Sequence, residues 1–270
     1  MTYCYFNGET LPYGKCKLHI SDLLIQRGYG IFDFFRWRNG GIPWFGDYID
    51  RLYTSVELAG LEMGPGQEEF RSAVFSLKKK NRPETDAFKV IVTGGYSDNL
   101  DSVTGPANLV ILNVPWRTPP PWHYENGVSL ISCEYERPNP EIKTLNYFNA
   151  LRLHHKFREF NAVDVLYHTE NITEASRANV FFVKKGEVYT PASGILKGIT
   201  RKQVLKLFSG IRVEDIPSEQ LFGFDEIFIT STTRDITPVT SVDGKKIGNG
   251  KPGPVTGEIL ERFRSEEKVI

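Results

Sequence analysis

Thr173-Glu174-Ala175-Ser176-Arg177-Ala178-Asn179-Val180-Phe181-Phe182-Val183 changes character in its middle: small and polar residues give way to four consecutive apolar ones. A short run of β-branched and aromatic residues next to turn-forming residues predicts a strand. Lys184-Lys185-Gly186 then supplies a turn and Glu187-Val188-Tyr189-Thr190 a returning strand, so a β-hairpin is expected.

Downstream, Thr200 to Ser209 reads as a helix opened by Gly198 and closed by Gly210. Glu226 to Thr230 is a strand followed by a run of hydroxyls, and Asp243-Gly244 is a tight hairpin turn. Upstream, Leu145, Phe148, Leu151 and Phe157 fit one face of a helix over Leu145 to Phe160. Further back, the segment from Asn113 to Trp122 is rich in proline and should be stiff and extended. It divides the chain into an N-terminal α/β domain (1–114), a linker (115–122) and a C-terminal domain (123–270). In the first part, Phe32 to Trp37 is a strand, Asn39-Gly40-Gly41 a turn, and Ile42 to Phe45 a returning strand. A helix is expected from Asp47 to Ala59, with Gly60 as its stop. Phe88 to Thr93 and Asn108 to Leu112 are strands joined by a polar loop from Gly94 to Pro106. The class is α+β in both halves.

The 270 residues suffice for one large domain or two modest ones. Lys plus Arg number 33, as do Asp plus Glu, so no bulk charge draws the chain to nucleic acid or to an anionic membrane. No apolar run approaches the roughly 20 residues of a membrane-spanning helix. Met1 to Gly8 lacks a basic segment followed by an apolar stretch, so no signal peptide is read. Cys4, Cys16 and Cys133 are odd in number and lack metal-ligand spacing. They read as reduced thiols of a cytoplasmic protein without a metal, a catalytic thiol being the alternative. The sequon Asn171-Ile172-Thr173 carries no meaning without secretion.

Five places could carry chemistry. Gly198-Ile199-Thr200-Arg201 opens a helix, whose first amides lack intrahelical partners and attract anions; the alternative is that Thr200 is an ordinary N-cap. Thr230-Ser231-Thr232-Thr233 offers further hydroxyl and amide donors, or is a solvated loop. Arg51, on the exposed side of the first long helix, could add positive charge or be a plain surface residue. Lys143 follows Pro138-Asn139-Pro140 and precedes a helix bearing Asn146 and Tyr147, which would place Tyr147 one turn away. A lysine attacks carbonyls only when deprotonated, so a Schiff-base lysine needs a desolvated or electropositive setting. Glu174 could keep a bound pyridine ring protonated and electron-poor; the alternative is a surface carboxylate paired with Arg177.

Taken in order, several segments resemble the class IV aminotransferase family, the fold type IV enzymes that use pyridoxal 5'-phosphate (PLP). They are Arg27 to Asp33, Asp50-Arg51-Leu52, Lys143 to Tyr147, Thr173 to Val183, Leu196 to Arg201 and Thr230 to Val239. The resemblance implies a small N-terminal α/β domain and a larger C-terminal pseudo-barrel domain, with PLP between them, in a homodimer. It implies that Lys143 carries PLP and shuttles the proton, that Glu174 holds the pyridine nitrogen, and that Tyr147 bonds the ring oxygen. Arg51, Ile199, Thr200 and Thr232, with the neighbouring donor Ser231, would hold the phosphate, and Thr233 would help receive the substrate carboxylate. The implied activity is transfer of the amino group of a small branched-chain or apolar amino acid to a 2-oxo acid. An aminodeoxychorismate lyase, which releases pyruvate, and a PLP-binding protein without turnover are the alternatives. Members that transaminate usually carry Glu where this chain has Asp33, and lyase members carry Thr near there. The loop Thr93 to Asp98 lacks the arginine that D-amino acid and lyase members use for a carboxylate. Lys89, Arg177 or Arg36 could substitute for it, and Phe32 could line the side-chain pocket or simply pack in the core with Phe34 and Phe35.

Overall fold

The computed structural model describes residues 2–267. It divides into two compact units, one running up to Arg117 and including Ile142–Asn146, the other comprising Thr118–Glu141 and Tyr147–Glu267. Among the described residues no helix is long and apolar enough to cross a membrane.

In the first unit, β1 (Tyr3–Phe6), β2 (Glu9–Pro12), β3 (Gly30–Arg36), β4 (Ala87–Thr93) and β5 (Leu109–Val114) form an antiparallel sheet in the order β2-β1-β5-β4-β3. The unit also contains helices α1 (Leu23–Arg27), α2 (Phe45–Leu58) and α3 (Gln67–Lys80). Strand alternation splits the aromatic run of β3. Phe35 is buried against Phe45 and Phe88, with ring centroids 5.1 and 5.4 Å away. Phe32 and Phe34 fall on the other face and are half-buried. Ile42 to Phe45 does not return as a strand. Pairing stops at the Arg38–Gly41 bridge, Pro43 has no N–H to give a ladder, and Trp44 takes φ 54° before α2 begins.

The segment Ile142–Asn146 lies along β3. The Phe32 amide donates to the Lys143 carbonyl at 2.9 Å, the Leu145 amide to the Gly30 carbonyl at 3.1 Å, and Thr144 bridges Ile31. The expected helix over Leu145 to Phe160 is therefore wrong in its first turn. Helix begins only at α5 (Phe148–Arg152) and, after a break at Leu153, resumes as α6 (His154–Glu159). Phe148 and Leu151, placed on the core face by the periodicity, are 76% and 69% exposed. Leu153 and Phe157 pack instead on Ile131, Val165 and Tyr167. The Lys143 carbonyl and the Leu145 amide find partners on β3, and that pairing overrides the 3.6-residue pattern.

The second unit also contains the short helix α4 (Trp122–Glu125), α7 (Ile199–Leu207) and α8 (Pro254–Glu266). Its strands are β6 (Val128–Glu134), β7 (Ala162–His168), β8 (Asn171–Ala175), β9 (Asn179–Lys184), β10 (Glu187–Thr190), β11 (Arg212–Val213), β12 (Ile216–Pro217), β13 (Glu226–Ser231), β14 (Asp235–Val242) and β15 (Lys245–Lys246). They pair in the order β11-β10-β9-β13-β14-β6-β7-β8-β12, with β15 on β14. β9 and β10 form the expected hairpin, with Lys185 and Gly186 at φ 50° and 81° in a two-residue turn. The apolar run of β9 is buried on both faces. Val180 and Phe182 enter a core with Leu130, Leu166, Ile227 and Ile229. Phe181 stacks on Phe228 of β13 at 4.8 Å on the other face, the one that Glu226 also occupies.

Phe182→Ala should cost about 3–5 kcal/mol through lost burial and a residual cavity. Urea unfolding followed by circular dichroism measures it.

Candidate functional site

In the first unit the geometry centres on Phe32. The Lys143 amine lies over its ring, 4.6 Å from the centroid, and the Lys89 amine approaches the same ring at 5.6 Å. Lys89 gets there because it pairs with Phe34 in the β3–β4 register, on the face Phe32 shares. The Lys143 amide donates to Ser55 Oγ of α2 at 3.4 Å. Because residues 142–146 are extended, Tyr147 is not one helical turn from Lys143; it is the N-cap residue of α5 in the second unit.

Arg51 is not on an exposed side of α2. Its Nε and Nη2 donate to the two oxygens of Asp33 at 2.9 and 2.5 Å, and its side chain is largely buried. Asp33 is itself buried, so this bidentate pair fixes the guanidinium against the sheet. Arg36 is buried with its guanidinium 5.0 Å from the Trp116 ring centroid.

In the second unit Glu174 is buried near the end of β8. Its Oε1 accepts from Arg137 Nε at 2.6 Å, and its Oε2 from the Leu196 amide at 2.8 Å and from Asn179 Nδ2 at 3.5 Å. The partner is thus Arg137 and not Arg177. The tight turn Ala175–Ala178 swings Arg177 away to the Val163 carbonyl, at 2.8 Å, and to Asp164, at 3.4 Å. Arg137 escapes a reading of the sequence because a lone arginine before Pro138-Asn139-Pro140 has no periodic signature. The Pro-Asn-Pro turn, with Asn139 at φ 49°, brings the Pro140 carbonyl within 2.6 Å of Arg137 Nη2.

Asn179 opens β9 and reaches the loop before α7. Its Nδ2 donates to the Leu196 carbonyl at 2.7 Å, and a Cβ on Gly198 would collide with its Oδ1. Gly198 is the N-cap of α7, so Thr200 is not a capping residue; it stands at the second helical position. The first intrahelical bond runs from the Lys202 amide to the Gly198 carbonyl at 2.9 Å, leaving the Ile199, Thr200 and Arg201 amides to point out of the helix end. Thr230 is the cross-strand partner of Asn179, so both side chains lie on one face. Thr230 Oγ1 is buried and has no hydrogen-bond partner among the described residues. Beyond it, Ser231 and Thr233 share a hydroxyl–hydroxyl bond of 3.1 Å, and Thr232 lies between them. Beside a glycine that admits no side chain, outward-pointing amides and an unsatisfied hydroxyl are donors of the kind that an anion such as the phosphate of PLP would need. Tyr147 is half-buried; burial pushes its phenol up to about 12, against the opposing pull of Arg137, so it is a hydrogen-bond donor at neutral pH.

Gly198→Ala should weaken PLP binding about tenfold or more by displacing the Leu196–Thr200 loop, an effect of the size of one charge-assisted hydrogen bond. Fluorescence titration with PLP measures it, with circular dichroism unchanged as the control.

Residues 30–242 match the family described as amino-transferase class IV. The chain is 32% identical to D-alanine aminotransferase of Bacillus licheniformis, over 94% of this chain and 93% of that relative. It is 30% identical to the putative branched-chain-amino-acid aminotransferase of Methanocaldococcus jannaschii, over 96% of this chain and 94% of that one. Among solved structures it is similar to the branched-chain amino acid aminotransferase from Escherichia coli, with a TM-score of 0.87 and 25% identity over 99% of this chain and 94% of that one. The branched-chain amino acid aminotransferase from Thermobaculum terrenum, solved in its PLP form, has the same fold, with a TM-score of 0.85 at 24% identity, covering 98% and 93% of the two chains. These relatives are named for amino-group transfer, which disfavours the lyase alternative.

Proposed function

The chain belongs to the class IV aminotransferase family, and on that premise we propose that its amino donor is a small apolar amino acid, branched-chain residues first, with a 2-oxo acid as acceptor. It is a PLP-dependent enzyme of fold type IV. PLP, when bound, supplies the electron sink that lets an amino group exchange between two carbon skeletons.

The observation that carries the donor preference is the aromatic floor under Lys143. Its amine lies over Phe32, on the face of β3 that also bears Phe34, so an apolar side chain near the reacting amine would find an apolar surface. In this reading Lys143 takes the α-proton from the donor and returns it during transfer. Glu174, fixed by Arg137 and the Leu196 amide, accepts the ring N–H, and the protonated Tyr147 phenol donates to the ring oxygen. Ile199, Thr200, Ser231 and Thr232 hold the phosphate, with Arg51 supplying charge. Thr233 helps to receive the substrate carboxylate. Lys89 suits the same task better than Arg177, whose contacts are with Asp164 and Val163. A homodimer is part of the proposal, supported by the exposed Phe148 and Leu151. So is a cytoplasmic location, supported by the three free thiols.

A second reading takes D-alanine as donor. It is favoured by the 32% identity to a D-alanine aminotransferase, and the loop Thr93 to Asp98, which has no arginine, weighs against it.

Visible absorbance of the purified protein and of Lys143→Ala, recorded with a panel of D- and L-amino acids, tests both readings. A yellow band that L-leucine or L-valine bleaches, and that Lys143→Ala lacks, is the expected result. Bleaching by D-alanine alone would move the assignment to the second reading. A colourless protein that PLP cannot reconstitute would overturn both.

A further inference from the structure

Asp164 of β7 is a fully buried carboxylate to which amino-group transfer assigns no part. It stands where two loops meet. From the turn after Glu174, Ser176 Oγ donates to its Oδ1 and Arg177 Nε lies 3.4 Å from its Oδ2. From the hydroxyl loop after β13, Arg234 Nη1 donates to the same Oδ2 at 2.8 Å. The adjacent Val163 carbonyl accepts from both arginines, at 2.8 Å from Arg177 Nη2 and 2.9 Å from Arg234 Nη2. The Ser176 amide completes the docking by donating to the Val165 carbonyl at 2.9 Å. Three consecutive residues of one rigid strand thus receive both loops.

We propose that Asp164 is a positioning residue that holds the Glu174 turn and the Ser231–Thr233 loop in fixed relation, and thereby sets the spacing between the groups that receive the ring nitrogen and the phosphate of PLP. The proposal rests on the family reading of those two loops. It goes beyond that reading because Asp164 touches neither group itself and acts through Arg177, Ser176 and Arg234. Burial alone raises the pKa of this carboxyl, but the two arginines, Ser176 and the Val165 amide outweigh it and hold it below the usual carboxylate range. The residue is therefore a full negative charge between two guanidiniums. Its loss leaves the guanidiniums repelling one another at the Val163 carbonyl.

Asp164→Asn keeps the size of the side chain and removes its charge. PLP affinity, the absorbance maximum of the bound cofactor and the unfolding midpoint of the PLP-free protein are measured for Asp164→Asn, Arg234→Gln and the double variant. The expected result is a loss of PLP affinity of about tenfold in each single variant, the worth of one charge-assisted hydrogen bond, together with a shifted absorbance maximum. The double variant should be no weaker than the worse single one, because both act through one contact. Parent affinity and parent absorbance in Asp164→Asn, with only the unfolding midpoint lowered, would reduce Asp164 to a structural role and overturn the proposal. If Asp164→Asn does not fold, Arg177→Gln decides. Its side chain is 47% exposed and tolerates replacement, and undiminished PLP affinity there would overturn the proposal. A parent protein that fails to bind PLP at all sinks the family reading instead, so the two failures are distinguishable.

Discussion

The buried carboxylate of Glu174 is the constraint on which the second unit is organised. A carboxylate removed from water is tolerable only with charge and hydrogen bonds to replace its hydration. Arg137, the Leu196 amide and Asn179 supply them, and each comes from a different part of the chain. Satisfying one acid therefore ties the Pro-Asn-Pro turn, the start of β9 and the loop into α7 to a single point.

Asn179 extends that tie. Its amide holds the Leu196 carbonyl while its oxygen occupies the space that a side chain on Gly198 would need. The helix end bearing Ile199 and Thr200 is thus placed by the same side chain that braces Glu174. A second tie, through Val163, Asp164 and Val165, holds the turn after Glu174 and the loop after Thr230. In the first unit Asp33 does for Arg51 what Arg137 does for Glu174: a charged group leaves water because an oppositely charged partner fixes it, through the Arg137 Nε contact at Glu174 and a bidentate pair at Arg51. Paired burial of charge keeps both side chains still, and groups fixed in this way lose little entropy on engaging a ligand.

How much was legible varies with the range of the interaction responsible. The β9–β10 hairpin, the helix after Gly198 and the strand ending at the hydroxyl run are fixed by residues within a few positions of one another, and sequence reading places them. The helix over Leu145 to Phe160 has the right spacing and is still wrong in its first turn, because Lys143 and Leu145 bond to β3, more than a hundred residues earlier. Arg177 looks like the partner of Glu174 by proximity in sequence, whereas Arg137, 37 positions away, makes the contact. Thr230 reads as one hydroxyl in a solvated run, and only the register with Asn179 reveals that it is buried.

By itself, the sequence determined those local elements that short-range contacts fix, such as the β9–β10 hairpin and the helix after Gly198, the order of the chemistry-bearing segments and, through their resemblance, the family. Those properties depend on short-range backbone preferences, apolar periodicity and residue identity. Tertiary structure alone decided which charges pair, that the lysine segment is extended along β3, that the Lys143 and Lys89 amines share the Phe32 ring, and that Asp164 binds two loops at once. These depend on through-space distances between residues far apart in the chain, and no local pattern encodes a distance that only folding creates.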